Sequence, residues 1–181
     1  MTNPTAAMLV IGDEILSGRT RDSNMHYLAG ELTRIGIRLQ EVRVVADEHA
    51  DIVAGVNALR ARYDTVFTSG GIGPTHDDIT ADAIAAAFGV PITHRADAMA
   101  LMSAHYDHQG LPFNEARQRM ARIPDGAVLI ENPVSIAPGF SLGNVHVMAG
   151  VPTIFQAMVA TVLPTLTGGA PLLSQSLRVQ R

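Results

Sequence analysis

The sequence contains no cysteine. Disulfides, thiolate nucleophiles and cysteine-bound zinc are therefore excluded, and a reducing, cytoplasmic setting is expected. Lysine is absent too, since all 13 basic residues are arginine. That rules out Schiff-base chemistry and a phosphate-binding lysine of the P-loop kind. Tryptophan is missing, and aromatic residues make up only 4% of the chain. No apolar run approaches the roughly 18 residues a membrane-spanning helix needs, so no membrane partner is expected. The opening Met1-Thr2-Asn3-Pro4 has no positively charged region, and a secretory signal is not expected. Acidic residues outnumber basic ones for a net charge of −4, and no basic run exceeds two nearby arginines. No nucleic-acid partner is expected.

What is present suits one domain of ordinary size. The 181 residues are 47% hydrophobic, enough to bury a core. Ala6–Ile11 is an almost wholly apolar run ending at Gly12, the pattern of a strand covered on both faces. Asp22-Ser23-Asn24 offers caps for a helix carrying Tyr27, Leu28, Leu32 and Ile35, which Gly36 stops. Leu39–Val45 reads as a strand, Ile52–Arg62 as a helix and Thr65–Phe67 as a third strand. Ile79–Phe88 is predicted helical with Thr80 as its cap and Gly89 as its stop. Helices are also predicted over Arg95–Gln109 and Phe113–Ala121. A hairpin turns at Gly143-Asn144 with His146 outward, and a last helix runs from Pro152 through Leu163. Strands alternating with helices imply a largely parallel sheet, which binds ligands beyond the carboxyl ends of its strands. Residues 168–181 read as a connector, with Leu177-Arg178-Val179 as the start of a further strand.

The stretch Thr68-Ser69-Gly70-Gly71-Ile72-Gly73-Pro74-Thr75-His76-Asp77-Asp78-Ile79-Thr80 carries the most chemistry. It joins a strand to a helix. Three glycines clear side chains from the turn, so that several backbone N–H groups can face one anion. A helix N-terminus adds positive potential there. Asp77 and Asp78 would repel a bare phosphate unless a divalent cation intervenes or one of them moves protons; both also suit an Asx turn or a cap. Asp13 and Glu14 stand at another strand's carboxyl end. Ser23 and Asn24 serve as caps and could border the same crevice. His105 and His108 lie three apart on a polar helix, a spacing that without a third ligand is a surface pattern.

Three ordered segments together resemble the MoaB/Mog family of molybdopterin-binding domains. They are Gly12-Asp13-Glu14-Ile15-Leu16-Ser17-Gly18, the Ser69–Thr80 loop, and Ala137-Pro138-Gly139-Phe140 with Ala149-Gly150-Val151-Pro152. The Gly-Asp-Glu-Ile-Leu opening, the Pro-Thr-X-Asp-Asp loop and the Ala-Pro-Gly-Phe segment are most similar to the amino-terminal domain of the CinA (competence/damage-inducible) branch. The resemblance runs from about Thr5 to Leu166 and assigns residues 1–167 to the domain. It implies a three-layer α/β sandwich, a mainly parallel sheet flanked by helices, assembled as a trimer or dimer. It also implies a phosphorylated pterin or nucleotide as ligand. CinA-type domains suggest metal-dependent hydrolysis of a pyrophosphate such as ADP-ribose, with Mg²⁺ or Co²⁺. MoaB/Mog enzymes suggest nucleotidyl transfer onto molybdopterin instead, and a non-catalytic binding module is the third reading. The family's functional aspartates correspond here to Asp47 and Asp78, with Asp77 a further metal candidate. Ala46 stands where the family more often has proline. Ser69, Gly70, Gly71, Gly73, Thr75, Asp13, Glu14, Ser23, Asn24, Pro138 and Gly139 are the expected ligand-contacting positions. CinA proteins often carry an amidase domain after this one, so a longer parent protein is expected.

Overall fold

The computed structural model describes residues 2–171; the proposed strand at Leu177-Arg178-Val179 lies outside them. The first strand, β1 (Thr5–Ile11), shows why the sheet needs helices on both sides. Its side chains alternate: Ala7, Leu9 and Ile11 enter one core, while Ala6, Met8 and Val10 enter the other. Every one of these six is essentially inaccessible to solvent. On the first face pack α3 (His49–Arg62) through Ile52, Val56 and Leu59, and α4 (Thr80–Phe88) through Ala83 and Ile84. On the second pack α2 (Asn24–Arg34) through Leu28 and Leu32, and α7 (Pro152–Val162) through Phe155, Met158 and Val159. The result is three layers, helix–sheet–helix.

The sheet has six strands in the order β2-β1-β3-β8-β7-β6. β2 (Arg38–Val45), β3 (Thr65–Ser69) and β8 (Val145–Met148) extend β1 by parallel pairing. β7 (Gly139–Leu142) and β6 (Val128–Ile130) close the border antiparallel, so the sheet is mixed with its parallel part at the centre. A second, two-stranded sheet of β4 (Ile92–His94) and β5 (Arg122–Pro124) brackets α5 (Ala96–His108) and α6 (Glu115–Arg119). A four-residue helix, α1 (Asp13–Leu16), follows β1 directly.

Three local expectations are corrected. Ser23 makes no capping bond through its side chain; the Asp22 carboxylate accepts the amides of Asn24 and Met25 instead, at 3.3 and 3.0 Å. Thr80 is the first residue of α4 rather than its cap, because its hydroxyl is spent on the glycine loop. His146 does not face outward. Helices cover both faces of the sheet at β8, so its ring is 8% exposed, tilted against Phe67 at 5.3 Å and bonded to the Ser141 hydroxyl at 2.7 Å. Burial without a charged partner pushes its pKa down to about 4.

Candidate functional site

The carboxyl ends of β1 and β3 deliver two loops to the same border of the sheet, where the sequence places its acids and its glycines. β3 ends at Ser69, whose buried hydroxyl accepts a bond from Asn24 at 2.8 Å; the same amide group of Asn24 also reaches the Gly150 carbonyl at 2.9 Å. These two residues stitch α2, the glycine loop and the start of α7 together rather than facing open solvent. Gly70 and Gly71 adopt φ of 106° and 72°, in the region side chains avoid. A Cβ on Gly70 would lie 2.2 Å from the Ile11 carbonyl, and one on Gly71 would lie 2.1 Å from the Thr80 hydroxyl. Sterics alone demand both glycines.

Thr80 then decides which edge of the loop is free. Its hydroxyl donates to the Gly70 carbonyl at 2.9 Å and its amide to the Gly71 carbonyl at 2.9 Å. With those oxygens committed to α4, the amides of Gly71, Ile72 and Gly73 find no acceptor among the described residues. They border a cleft of about 590 Å³, a volume that suits a small-molecule site. Asn132, Ser135 and Ala137 also line it, and the entry of α7 at Val151-Pro152 supplies a helix N-terminus. Tyr106 closes one side, stacked on Phe113 at 5.6 Å.

Two carboxylates border this cleft. Glu14 and Asp78 line it. Asp78 is held in place, since its Oδ2 accepts the amide and the hydroxyl of Thr75 at 2.8 and 2.7 Å. Both the amide and the hydroxyl of Thr75 are thus engaged by Asp78. Asp13 and Asp47 bracket each other behind Glu14: the Asp47 carboxylate accepts the Asp13 amide at 2.9 Å, and the Asp47 amide donates back to Asp13 Oδ1 at 3.3 Å. Burial raises the Asp47 pKa; the Asp13 amide bond opposes this, and the charges of Asp13, Glu14 and Asp78 reinforce it. None of these four forms an ion pair among the described residues. Asp77 takes a different direction, paired with His76 at 3.0 Å on an exposed surface. Pro138 borders a small adjoining hollow behind the loop. Gly139 is buried within β7, where a Cβ would strike the Val147 carbonyl at 2.5 Å.

Three His, Asp or Glu side chains converging on one metal are not found among the described residues. Magnesium-type ions commonly use one or two carboxylates and complete their shell with water and substrate phosphate. Glu14 and Asp78, uncompensated and facing one cleft, fit that donor set; Asp77 does not share it. Sequence reasoning missed Asn132, which builds its wall by donating to Ser135 Oγ and the Ala137 carbonyl at 2.8 Å each. The Asn-Pro dipeptide at 132–133 was the available signal, a turn marker in an otherwise unremarked stretch.

The chain as a whole is similar to known proteins. Residues 7–168 match the family described as "Probable molybdopterin binding domain". A protein of Metallosphaera sedula is 35% identical over 164 residues, covering 88% of this chain and 62% of that protein. The chain spans 61–65% of the length of the first curated relatives it matches. Among solved structures, the protein CinA from Thermoplasma acidophilum superposes with a TM-score of 0.82 at 30% identity, over 91% of this chain and 99% of that one. The molybdopterin biosynthesis enzyme MoaB of Thermus thermophilus shares the fold, with a TM-score of 0.59 at 18% identity over 90% and 91% of the two chains.

Proposed function

The chain belongs to the family of probable molybdopterin binding domains, in its CinA-type branch, and on that premise we propose that it binds a phosphorylated nucleotide or pterin and hydrolyses a pyrophosphate of the ADP-ribose kind. The observation that carries this reading is the row of three unpartnered amides, Gly71, Ile72 and Gly73, on a roomy cleft whose border holds Glu14 and Asp78. Amides of this kind take phosphate oxygens. The carboxylates cannot do so and are left for the other tasks of the reaction.

In the proposed reaction the loop amides and the N-terminus of α7 hold the pyrophosphate oxygens and stabilise the negative charge that grows as the bond breaks. Glu14 accepts a proton from the attacking water; the water oxygen bonds to one phosphorus, and the bridging oxygen leaves with the other phosphate. For ADP-ribose the products are AMP and ribose 5-phosphate. Asp78, fixed by Thr75, orients the water against the phosphate. Glu14 and Asp78 are also the residues that would hold Mg²⁺ or Co²⁺. When bound, such an ion neutralises phosphate charge and lowers the pKa of its water. Asp47 acts through Asp13, holding α1 and therefore Glu14 in position.

Thermal unfolding in the presence of ADP-ribose, with and without Mg²⁺ or Co²⁺, followed by product analysis, tests the reading. A ligand-dependent rise in Tm together with AMP and ribose 5-phosphate supports hydrolysis. Transfer of AMP from ATP to molybdopterin without water-derived products would move the chain to nucleotidyl transfer. A rise in Tm with no product would leave a binding module.

A further inference from the structure

The charges around the glycine loop do not balance. Glu14 and Asp78 line the cleft without cations, and Asp13 and Asp47 stand behind Glu14. A ligand with two phosphates brings more negative charge to the same place, and backbone amides carry only partial positive charge. The chain has no lysine to offset it. The small hollow behind the loop, bordered by Gly71, Ile72, Gly73 and Asp78, is also bordered by two arginines, Arg119 and Arg122.

Arg122 is already spent. Its Nη1 and Nη2 donate to the two carboxylate oxygens of Asp82, at 2.9 and 2.7 Å. Arg119 forms no ion pair among the described residues, and Glu115, which shares an outer groove with it, is not within ion-pair distance. Its Nη2 lies 3.4 Å from the Asp78 carbonyl, the side chain's one hydrogen bond among the described residues. Its Nε is buried without an acceptor. Withdrawing a cation from water without a counter-charge costs free energy.

Two anchors keep the arginine there. Asn114 caps α6 by accepting the Arg117 amide at 3.1 Å, and Ala121 and Ile123 just beyond are buried in the first core. Arg117 turns elsewhere, with its guanidinium 4.5 Å from the centre of the Tyr106 ring. Arg119 alone is left as an uncompensated cation bordering the loop.

We propose that Arg119 is the positioning cation of the glycine loop. Its charge, acting from behind Gly71, Ile72 and Gly73, offsets that of the phosphates their amides receive. Arg119 does not line the cleft, so it acts through its field rather than by touching the ligand. A guanidinium also keeps its charge at every working pH. The proposal rests on the phosphate-binding reading above and adds a residue which that reading does not use.

Calorimetric titration of the intact chain with α,β-methylene-ADP and Mg²⁺ tests it, because the bridge of this nucleoside diphosphate cannot be hydrolysed. Arg119→Gln keeps a donor for the Asp78 carbonyl but removes the charge. It should weaken affinity about tenfold. Its Tm without ligand should hold or rise, since an uncompensated charge has gone. Arg119→Lys keeps the charge and should stay within about threefold of the wild type. Added salt should weaken the wild type more steeply than Arg119→Gln. Wild-type affinity in Arg119→Gln, or Arg119→Lys as weak as Arg119→Gln, would overturn the proposal and leave the reading of the cleft standing. A wild-type chain that takes up no α,β-methylene-ADP would overturn both.

Discussion

Asp13 and Asp47 hold each other by exchanged bonds, each carboxylate accepting the other residue's backbone amide, at 2.9 and 3.3 Å. The bracket ties the end of β2 to α1, the element that carries Glu14 to the cleft. It also keeps Asp47 partly buried among three further carboxylates, which raises its pKa. A carboxylate with a raised folded-state pKa favours the protonated state. Its stabilising share is complete below the ordinary carboxylate range and is lost as pH rises through the folded value.

Asp47→Asn should therefore raise Tm at neutral pH, by about 1–3 °C, and the gain should vanish in acid. The asparagine keeps an oxygen for the Asp13 amide. Turnover should nonetheless fall, about tenfold, because a neutral amide oxygen holds the Asp13 amide less firmly than a carboxylate does and Glu14 is then less well positioned. Thermal scans across the acid range, paired with a rate measurement, check both parts. A lower Tm at neutral pH would refute the electrostatic account of this residue.

Asp78→Asn and Glu14→Gln should separate from one another only in their structural consequences. Asparagine at 78 can still accept both bonds from Thr75, so Tm should change by no more than about 2 °C. Turnover should drop about 10²-fold or more in either variant, as expected when a group that moves protons or orients the attacking water is neutralised. Steady-state kinetics with ADP-ribose supply the test; unaltered kcat in both would remove the carboxylates from the chemistry.

Thr80→Val is close to isosteric and deletes one hydrogen bond, the one to the Gly70 carbonyl. Thr80 is fully buried, so loss of the bond should cost about 1–3 kcal/mol in urea denaturation. Phosphate affinity should weaken as well, since Thr80 is what commits the loop carbonyls and leaves its amides free. Unchanged stability would mean that the loop holds its shape without this residue.

His146 predicts an acid-side dependence of stability. Its folded pKa of about 4 lies below the ordinary value. Its contribution is therefore complete above the ordinary histidine pKa and is lost as pH falls toward 4. The amount at stake is about 3 kcal/mol. In His146→Gln, denaturation midpoints should be flatter than wild type between about pH 6.5 and 4. Equal slopes in both proteins would assign the acid sensitivity to other groups.

The parallel core was legible because its signals are local. The apolar run at Ala6–Ile11, the helical stripe of Leu28 and Leu32, and the Gly89 stop all depend on neighbours within a few residues. β4, β5 and β6 were not legible: each has three residues, too few for an alternating pattern to emerge. His146 was misjudged because its covering comes from Phe67 and the flanking layers, far away in sequence. The loop motif itself announced a strand–glycine–helix junction. Its working division, carbonyls toward Thr80 and amides toward the cleft, emerges only once the chain has folded back on itself. Asn24 likewise reads as a cap in sequence and becomes a buried brace only when Ser69 and Gly150 arrive beside it.

The most direct measurement is phosphorus NMR of ADP-ribose incubated with the wild-type chain and Mg²⁺, with Asp78→Asn in parallel. The account predicts that the paired pyrophosphate resonances disappear and two phosphomonoester signals replace them, in the wild type far faster than in the variant. Pyrophosphate resonances that persist unchanged in the wild-type sample, with Co²⁺ as with Mg²⁺, would contradict it.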